Sequence, residues 1–212
     1  MVVMKFGGSS VATAAALSRV CAIVHAEQRP RVIVVSALGG VTDALLELAE
    51  LAAARNETAA LQAVRALRDR HASLANIVRD EVERRALLAH LDAGWRDVGT
   101  LVHASSLLKA CSPAASDAIV AHGELASSRL VAAILRDAGV PAEWVDARHV
   151  VVTDRRHQQA SPLAEASADQ LARTVRPLVD RGAVPVLGGF VGATADGVTT
   201  TLGRGGSDYS AS

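Results

Sequence analysis

Four short stretches of the chain gather residue types that handle anions. The first is Lys5-Phe6-Gly7-Gly8-Ser9-Ser10. A lysine at a strand end, followed by two glycines and a helix start, suits a phosphate. Glycines let the backbone approach, free N–H groups point at the anion, and the ammonium neutralises charge. It is not a Walker A loop, because Lys5 precedes the glycines and no G-x-x-x-x-G-K-[ST] occurs in the chain. The same residues also read as a tight turn with Ser9 or Ser10 as N-cap. The second stretch, Ser36-Ala37-Leu38-Gly39-Gly40-Val41-Thr42-Asp43, again follows a strand. Its small hydroxyl residues and glycines either line a polar pocket or form another N-cap turn.

The third stretch, His122-Gly123-Glu124-Leu125-Ala126-Ser127-Ser128, lies in a mostly apolar helical run. Glu124 among small neighbours can pair with an ammonium group if it faces a sheet. Taken alone it reads as a solvated helix glutamate, since acids are seldom buried unpaired. The fourth stretch, Thr199 to Asp208, is the most specific, with three glycines around Arg204 and Ser207-Asp208 at the next helix start. The guanidinium fork suits a carboxylate or phosphate, and Gly203 and Gly205 let a ligand come close. A dinucleotide G-x-G-x-x-G would need glycine at 208, where Asp208 stands.

The elements that must carry these loops follow from periodicity. Val2 to Phe6 reads as a short apolar strand and Val32 to Val35 as a buried one, each followed by a Gly/Ser turn and a helix, over Val11 to Glu27 and Val41 to Arg55. Residues from Glu57 to about Lys109 read as a helical excursion, about 57–110, interrupted near Ala93-Gly94. Its dense, mixed charges, Arg70 among them, read as solvated outer faces. A helix is expected from about Ala115 to Asp137, short strands at Glu143 to Asp146 and Val150 to Thr153, and a helix from Pro162 to Arg181. Val184 to Leu187 reads as a strand, and Phe190 to Thr201 as a hairpin turning at Ala195-Asp196-Gly197. Tyr209 to Ser212 begins what reads as a helix. A domain does not normally end on a first helical turn, so a piece of a longer protein is expected. Alternating strands and helices predict an α/β fold with three αβα layers and a mostly parallel central sheet, with ligands at the carboxyl ends of the strands.

Composition narrows the class. Half of the 212 residues are apolar, and 22 Lys and Arg balance 22 Asp and Glu. A generic polyanion-binding face is therefore not indicated. Aromatics make up only 2% of the chain, too few for a base-stacking platform, so no nucleic-acid partner is expected. Cys21 and Cys111 are not a disulfide framework. The first residues lack a signal-peptide pattern, and the longest apolar run, Ala183 to Thr194, falls short of the ~20 residues of a membrane helix. No membrane association and a cytoplasmic location are expected. The seven histidines form no H-E-x-x-H or other zinc pattern, so no protein metal site is expected.

Five blocks together resemble aspartokinases of the amino-acid kinase family: Lys5 to Ala12, Val35 to Leu45, Gly123 to Leu130, Asp146-Ala147-Arg148 with Thr153-Asp154, and Gly189 to Ala211. They occur in that family's order and spacing along the whole chain. The resemblance implies an amino-acid kinase fold, with residues 1–212 as its N-terminal, aspartate-binding portion. The C-terminal part of the ATP site and the regulatory ACT domains would lie beyond residue 212. It implies transfer of the γ-phosphate of ATP to the side-chain carboxylate of L-aspartate, the first step of lysine, threonine and methionine biosynthesis. ATP and Mg²⁺ would be the cofactors, and the full-length protein would be a homo-oligomer.

Residue by residue, the resemblance puts Lys5 on the transferring phosphate and Gly7, Gly8 and Ser9 around the ATP phosphates. Asp208 would position Lys5. Ser36 and Thr42 would line the aspartate pocket, Glu124 would take the substrate ammonium, and Arg204 would clamp a substrate carboxylate beside Thr201 and Ser207. Ser10 stands where the family commonly has threonine, and His122 receives no role. A carboxylate nucleophile is already ionised at neutral pH, its reference pKa being ~3.9, so no general base is needed. Alternatives are another acceptor on the same fold, such as glutamate or a nucleoside monophosphate, and a non-catalytic amino-acid-binding module. Both Lys5 and Asp208 argue against the last.

Overall fold

A computed structural model describes residues 1–203 and 210 of the chain. In chain order it contains β1 (Val2–Phe6), α1 (Gly8–Val11), α2 (Ala14–Ala26), β2 (Arg31–Val35), α3 (Val41–Ala53), α4 (Glu57–Ala75), α5 (Glu81–Leu108) and α6 (Pro113–Asp137). There follow β3 (Ala142–Trp144), a 3-10 turn (Ala147–His149), β4 (Val152–Thr153), α7 (Ala164–Asp180), β5 (Val184–Gly188), β6 (Val191–Thr194) and β7 (Thr199–Thr201). The main sheet has the order β1-β2-β5-β3, and every neighbouring pair is parallel. A smaller sheet, β4-β6-β7, closes with the expected antiparallel hairpin.

The run of Val and Ile in β2 is buried on both faces, as a strand sandwiched between helices requires. Ile33 and Val35 join Leu17, Val20 and Val24 of α2, Leu45 and Leu48 of α3, and Leu130 of α6 in the larger core cluster. Val32, Val34 and Leu187 meet Val175, Leu178 and Val179 of α7 on the other side. This is the three-layer αβα arrangement expected from the alternation of elements. Helix α6 is long and apolar enough to span a membrane, but 83% of its apolar window is buried inside the fold. Its burial identifies it as the core helix.

Several boundaries differ from the sequence-based expectation. The first helix is broken at Ala12–Thr13, where the Thr13 hydroxyl accepts from Ala16 N at 3.2 Å and starts α2 afresh. The strands expected at 143–146 and 150–153 are shorter, because the 3-10 turn intervenes. The excursion is not interrupted at Ala93-Gly94; α5 runs straight through. The break lies at residues 76–80. There Asp137 Oδ1 accepts from the backbone N–H groups of Arg79 and Asp80, and the Asp80 carboxyl accepts from Glu83 N at 2.8 Å to cap α5.

Gly94 has a packing reason instead. A Cβ at this position would overlap the imidazole of His122 on α6. His122 stands edge-on to Trp95 at 4.5 Å between centroids, and Trp95 meets His71 at 5.2 Å, locking α4, α5 and α6 together. Burial lowers the pKa of His71 to about 4 and of His122 to about 3, so both are neutral at physiological pH. Gly94→Ala is expected to destabilise the chain by about 1–3 kcal/mol through overpacking. At an unpacked helix position the same change would stabilise by up to about 1 kcal/mol. The midpoint of urea unfolding gives the sign.

Candidate active site

Because the main sheet is parallel, the carboxyl ends of β1, β2 and β5 lie side by side. The loops after them converge there. Gly39 N donates to Gly8 O at 3.0 Å, Ser36 N to Phe6 O at 3.1 Å, and Gly189 N to Val35 O at 2.9 Å. The first two anion-handling stretches are thus one surface. Gly7 and Gly8 open the single-turn helix α1, and the N–H groups of Gly8 and Ser9 have no intrahelical partner. Lys5 sits one residue before the end of β1, in register with Val34, and its side chain is exposed. Arg70 also belongs here, contrary to its reading as part of a solvated face. From α4 it donates to Gly39 O at 2.9 Å and pins the second loop.

Ser36 and Thr42 are half-buried, and among the described residues their hydroxyls have no hydrogen-bond partner. Glu124 of α6 reaches the same place from below. It is 3% exposed, so the solvated reading is overturned. Gly188 makes the approach possible: a Cβ there would come within 2.9 Å of Glu124 Cβ. Glu124 Oε1 accepts from Ala37 N at 3.2 Å, while Oε2 is buried without a partner. Ser127 Oγ, one turn on, donates to Ser36 O at 2.7 Å and keeps the loop seated on the helix. Desolvation dominates at Glu124 and raises its pKa to about 8, against the smaller opposing effect of the Ala37 N–H. A buried carboxyl group with one oxygen unsatisfied is ready for a cationic hydrogen-bond donor.

The glycine-rich stretch is tethered to this surface at both ends. Leu202 N donates to Phe190 O at 2.9 Å, and Phe190 N donates to Ser210 Oγ at 3.1 Å. Phe190 directly follows Gly188-Gly189 and holds a left-handed conformation, φ 66°. Such strain in a non-glycine residue persists only where surroundings impose it. Arg204, Ser207 and Asp208 lie outside the described residues, as does the helix start at Tyr209 to Ser212 apart from Ser210.

Thr201 is described and buried, and its hydroxyl donates to Asp117 Oδ1 at 2.6 Å. Asp117, 1% exposed on α6, also accepts from Gln158 N and is 2.7 Å from His157 Nδ1. Ala160 N donates to Thr201 O at 3.0 Å. The segment 157–160 therefore clamps the start of the glycine-rich stretch through Asp117. No motif announces this; the one sequence signal is an aspartate in a mostly apolar helical run. Asp117→Ala leaves the buried Thr201 hydroxyl and the partly buried Gln158 N–H without their acceptor and is expected to cost about 1–3 kcal/mol. Denaturant unfolding checks the loss, and amide exchange at residues 157–160 should accelerate most.

Among the described residues, no group of three or more His, Cys, Asp or Glu side chains is placed to hold a metal ion. No Mg²⁺ ligand is assigned among them.

The profile described as the amino acid kinase family matches residues 1–212. The chain belongs to the amino acid kinase family. Its relatives narrow the resemblance within that family. It is 40% identical over 215 residues to the lysine-sensitive aspartokinase 3 of Escherichia coli (strain K12), covering 100% of this chain and 45% of that protein. Its fold matches the crystal structure of E. coli aspartokinase III in complex with lysine and aspartate with a TM-score of 0.89 and 34% identity, over 99% of this chain and 45% of that one. The complex of the same enzyme with aspartate and ADP matches with a TM-score of 0.84 at the same identity and coverage. This amino acid kinase domain thus spans less than half the length of the relatives it resembles.

Proposed function

We propose that the chain is the aspartate-binding portion of an aspartate kinase, which transfers the γ-phosphate of ATP to the side-chain carboxylate of L-aspartate. The observation that carries the reading is Glu124, a buried carboxyl group with Oε2 unsatisfied, at the junction of three strand-end loops. An α-ammonium group is the complement such a site calls for. The aspartate and ADP complexes of the related aspartokinase III support the same substrate class.

In this reading Glu124 holds the ammonium, and Ser36 and Thr42 line the pocket with free hydroxyls. Arg204 meets a substrate carboxylate, with Thr201 and Ser207 beside it. Lys5, with Asp208 positioning it, neutralises charge on the transferring group, while the N–H groups near Gly7, Gly8 and Ser9 face the phosphates. ATP supplies the phosphoryl group when bound, and Mg²⁺ adds charge neutralisation. The substrate carboxylate attacks in its ionised form, so positioning and electrostatics carry the reaction and no proton is moved.

Calorimetric titration of the chain with L-aspartate, L-glutamate and succinate tests the pocket. Succinate keeps both carboxylates of aspartate and lacks the ammonium, so it should bind roughly thirty-fold more weakly or worse, a difference of about 2 kcal/mol. Equal affinity for succinate and aspartate would remove Glu124 from the reading. Preference for L-glutamate would move the acceptor to a longer amino acid.

A further inference from the structure

On the side of α6 turned away from Glu124 lies a second set of polar side chains that the chemistry above does not use. Helical spacing brings Ala118, His122, Leu125, Ala126 and Arg129 to one face of α6. All five line a cavity of about 290 Å³ bounded also by α5 and by Trp144 and Arg148. Two guanidinium groups belong to its wall. Arg148 is committed, with Nη2 and Nε on the Asp146 carboxylate at 2.6 and 3.0 Å. Arg129 is not: among the described residues it makes no hydrogen bond and no ion pair. Its guanidinium carbon lies 3.4 Å from the centre of the Trp144 ring, and the indole N–H is itself tied to Ser128 Oγ at 2.9 Å.

A stacked guanidinium keeps its in-plane N–H donors available while the ring fixes its plane. That is a pre-oriented fork, so little rotamer freedom remains to be lost when a ligand is taken up. Burial lowers the Arg129 pKa from its ordinary value, with Asp146 opposing that effect. His122 adds a buried Nε2 without a hydrogen-bond partner, in an imidazole that feels the positive charge of both Arg148 and Arg129. At the rim, His90 and Asp97 are exposed, and His90 Nδ1 is engaged with Ala86 O at 2.7 Å. Asp97 and the Asp146–Arg148 pair leave little net positive charge, which matches a single oxyanion group and not a polyphosphate.

We infer that this cavity is a binding site for a small ligand bearing one carboxylate or phosphate group, held by the Arg129 fork over Trp144 with His122 beside it. The volume is at the small end of ligand pockets. The site is separate from the aspartate pocket, on the opposite face of the helix that carries Glu124.

The chain has two tryptophans, Trp95 and Trp144, so its ¹⁵N–¹H spectrum carries two indole signals, assigned with Trp144→Phe. Inorganic phosphate and acetate are titrated separately, with chloride holding ionic strength constant. The expected result is a saturable shift of the Trp144 indole signal by at least one of the two, and the anion that saturates at lower concentration identifies the head group. Arg129→Gln should weaken it about tenfold or more, and Arg129→Lys, which keeps the charge and loses the fork, by less. The Trp95 signal, from the core, reports that each variant is folded, and Arg129→Lys carries the test if Arg129→Gln is not. The shift should persist in saturating L-aspartate. No saturable shift with either anion, an unchanged apparent Kd in the folded variants, or loss of the shift when aspartate fills its own pocket would each overturn the proposal.

Discussion

Glu124→Gln is expected to weaken L-aspartate binding by about 2–5 kcal/mol, roughly thirty-fold at the least. The carboxyl group is 3% exposed, and its Oε2 has no partner, so the substrate ammonium would gain a desolvated counter-charge that glutamine cannot supply. Proton linkage gives the same residue a second signature. In the free chain the Glu124 pKa is raised to about 8 from 4.5, first by desolvation. Between those pH values the folded chain holds a proton that the unfolded chain has released. Stability attributable to Glu124 is therefore fully present below about 4.5 and is lost as pH rises through about 8. Glu124→Gln should flatten that decline. An arriving ammonium group favours the carboxylate and expels the proton. Titrations near neutral pH in buffers of different ionisation enthalpy should thus show up to one proton released per aspartate bound, and none in the glutamine variant.

Lys5→Ala is expected to reduce phosphoryl transfer by about 10²–10³ in the full-length natural protein, in the range for losing one preorganised electrostatic contact. Lys5 stands at the carboxyl end of β1, on the face of the sheet toward α7, with its side chain exposed. Glu124 approaches from α6 on the other face. The substitution should therefore leave the aspartate Kd nearly unchanged while kcat falls. A parallel loss of aspartate affinity would mean that Lys5 serves the amino acid and not the transferring group.

The strands were legible because their signal is local. β2 is a run of Val and Ile bounded by Pro30 and a Ser/Gly turn, and the hairpin announces itself through Asp196-Gly197. Glycine as punctuation puts the break in the helical excursion in the wrong place, because Gly94 makes room for His122 from another helix. The true break did carry a signal, Asp80-x-x-Glu83, which is a capping pattern. Glu124 reads as solvated in the sequence because burial of an acid depends on partners distant in sequence. The close approach to Gly188 and the bond from Ala37 are 64 and 87 residues away. Its small neighbours Gly123, Ala126 and Ser127 were the available hint. Arg70 and Asp117 carried no comparable pattern, since each acts on a loop that only the tertiary fold brings near.

Acyl phosphate trapping with hydroxylamine tests the kinase reading most directly. ATP, Mg²⁺ and a panel of amino acids are supplied to the full-length natural protein, with the 212-residue chain alongside. Hydroxamate formed from L-aspartate and from no other acceptor is the expected result, with little or none from residues 1–212 alone. Absence of hydroxamate from L-aspartate with the full-length natural protein would contradict the assignment of this site to aspartate phosphorylation.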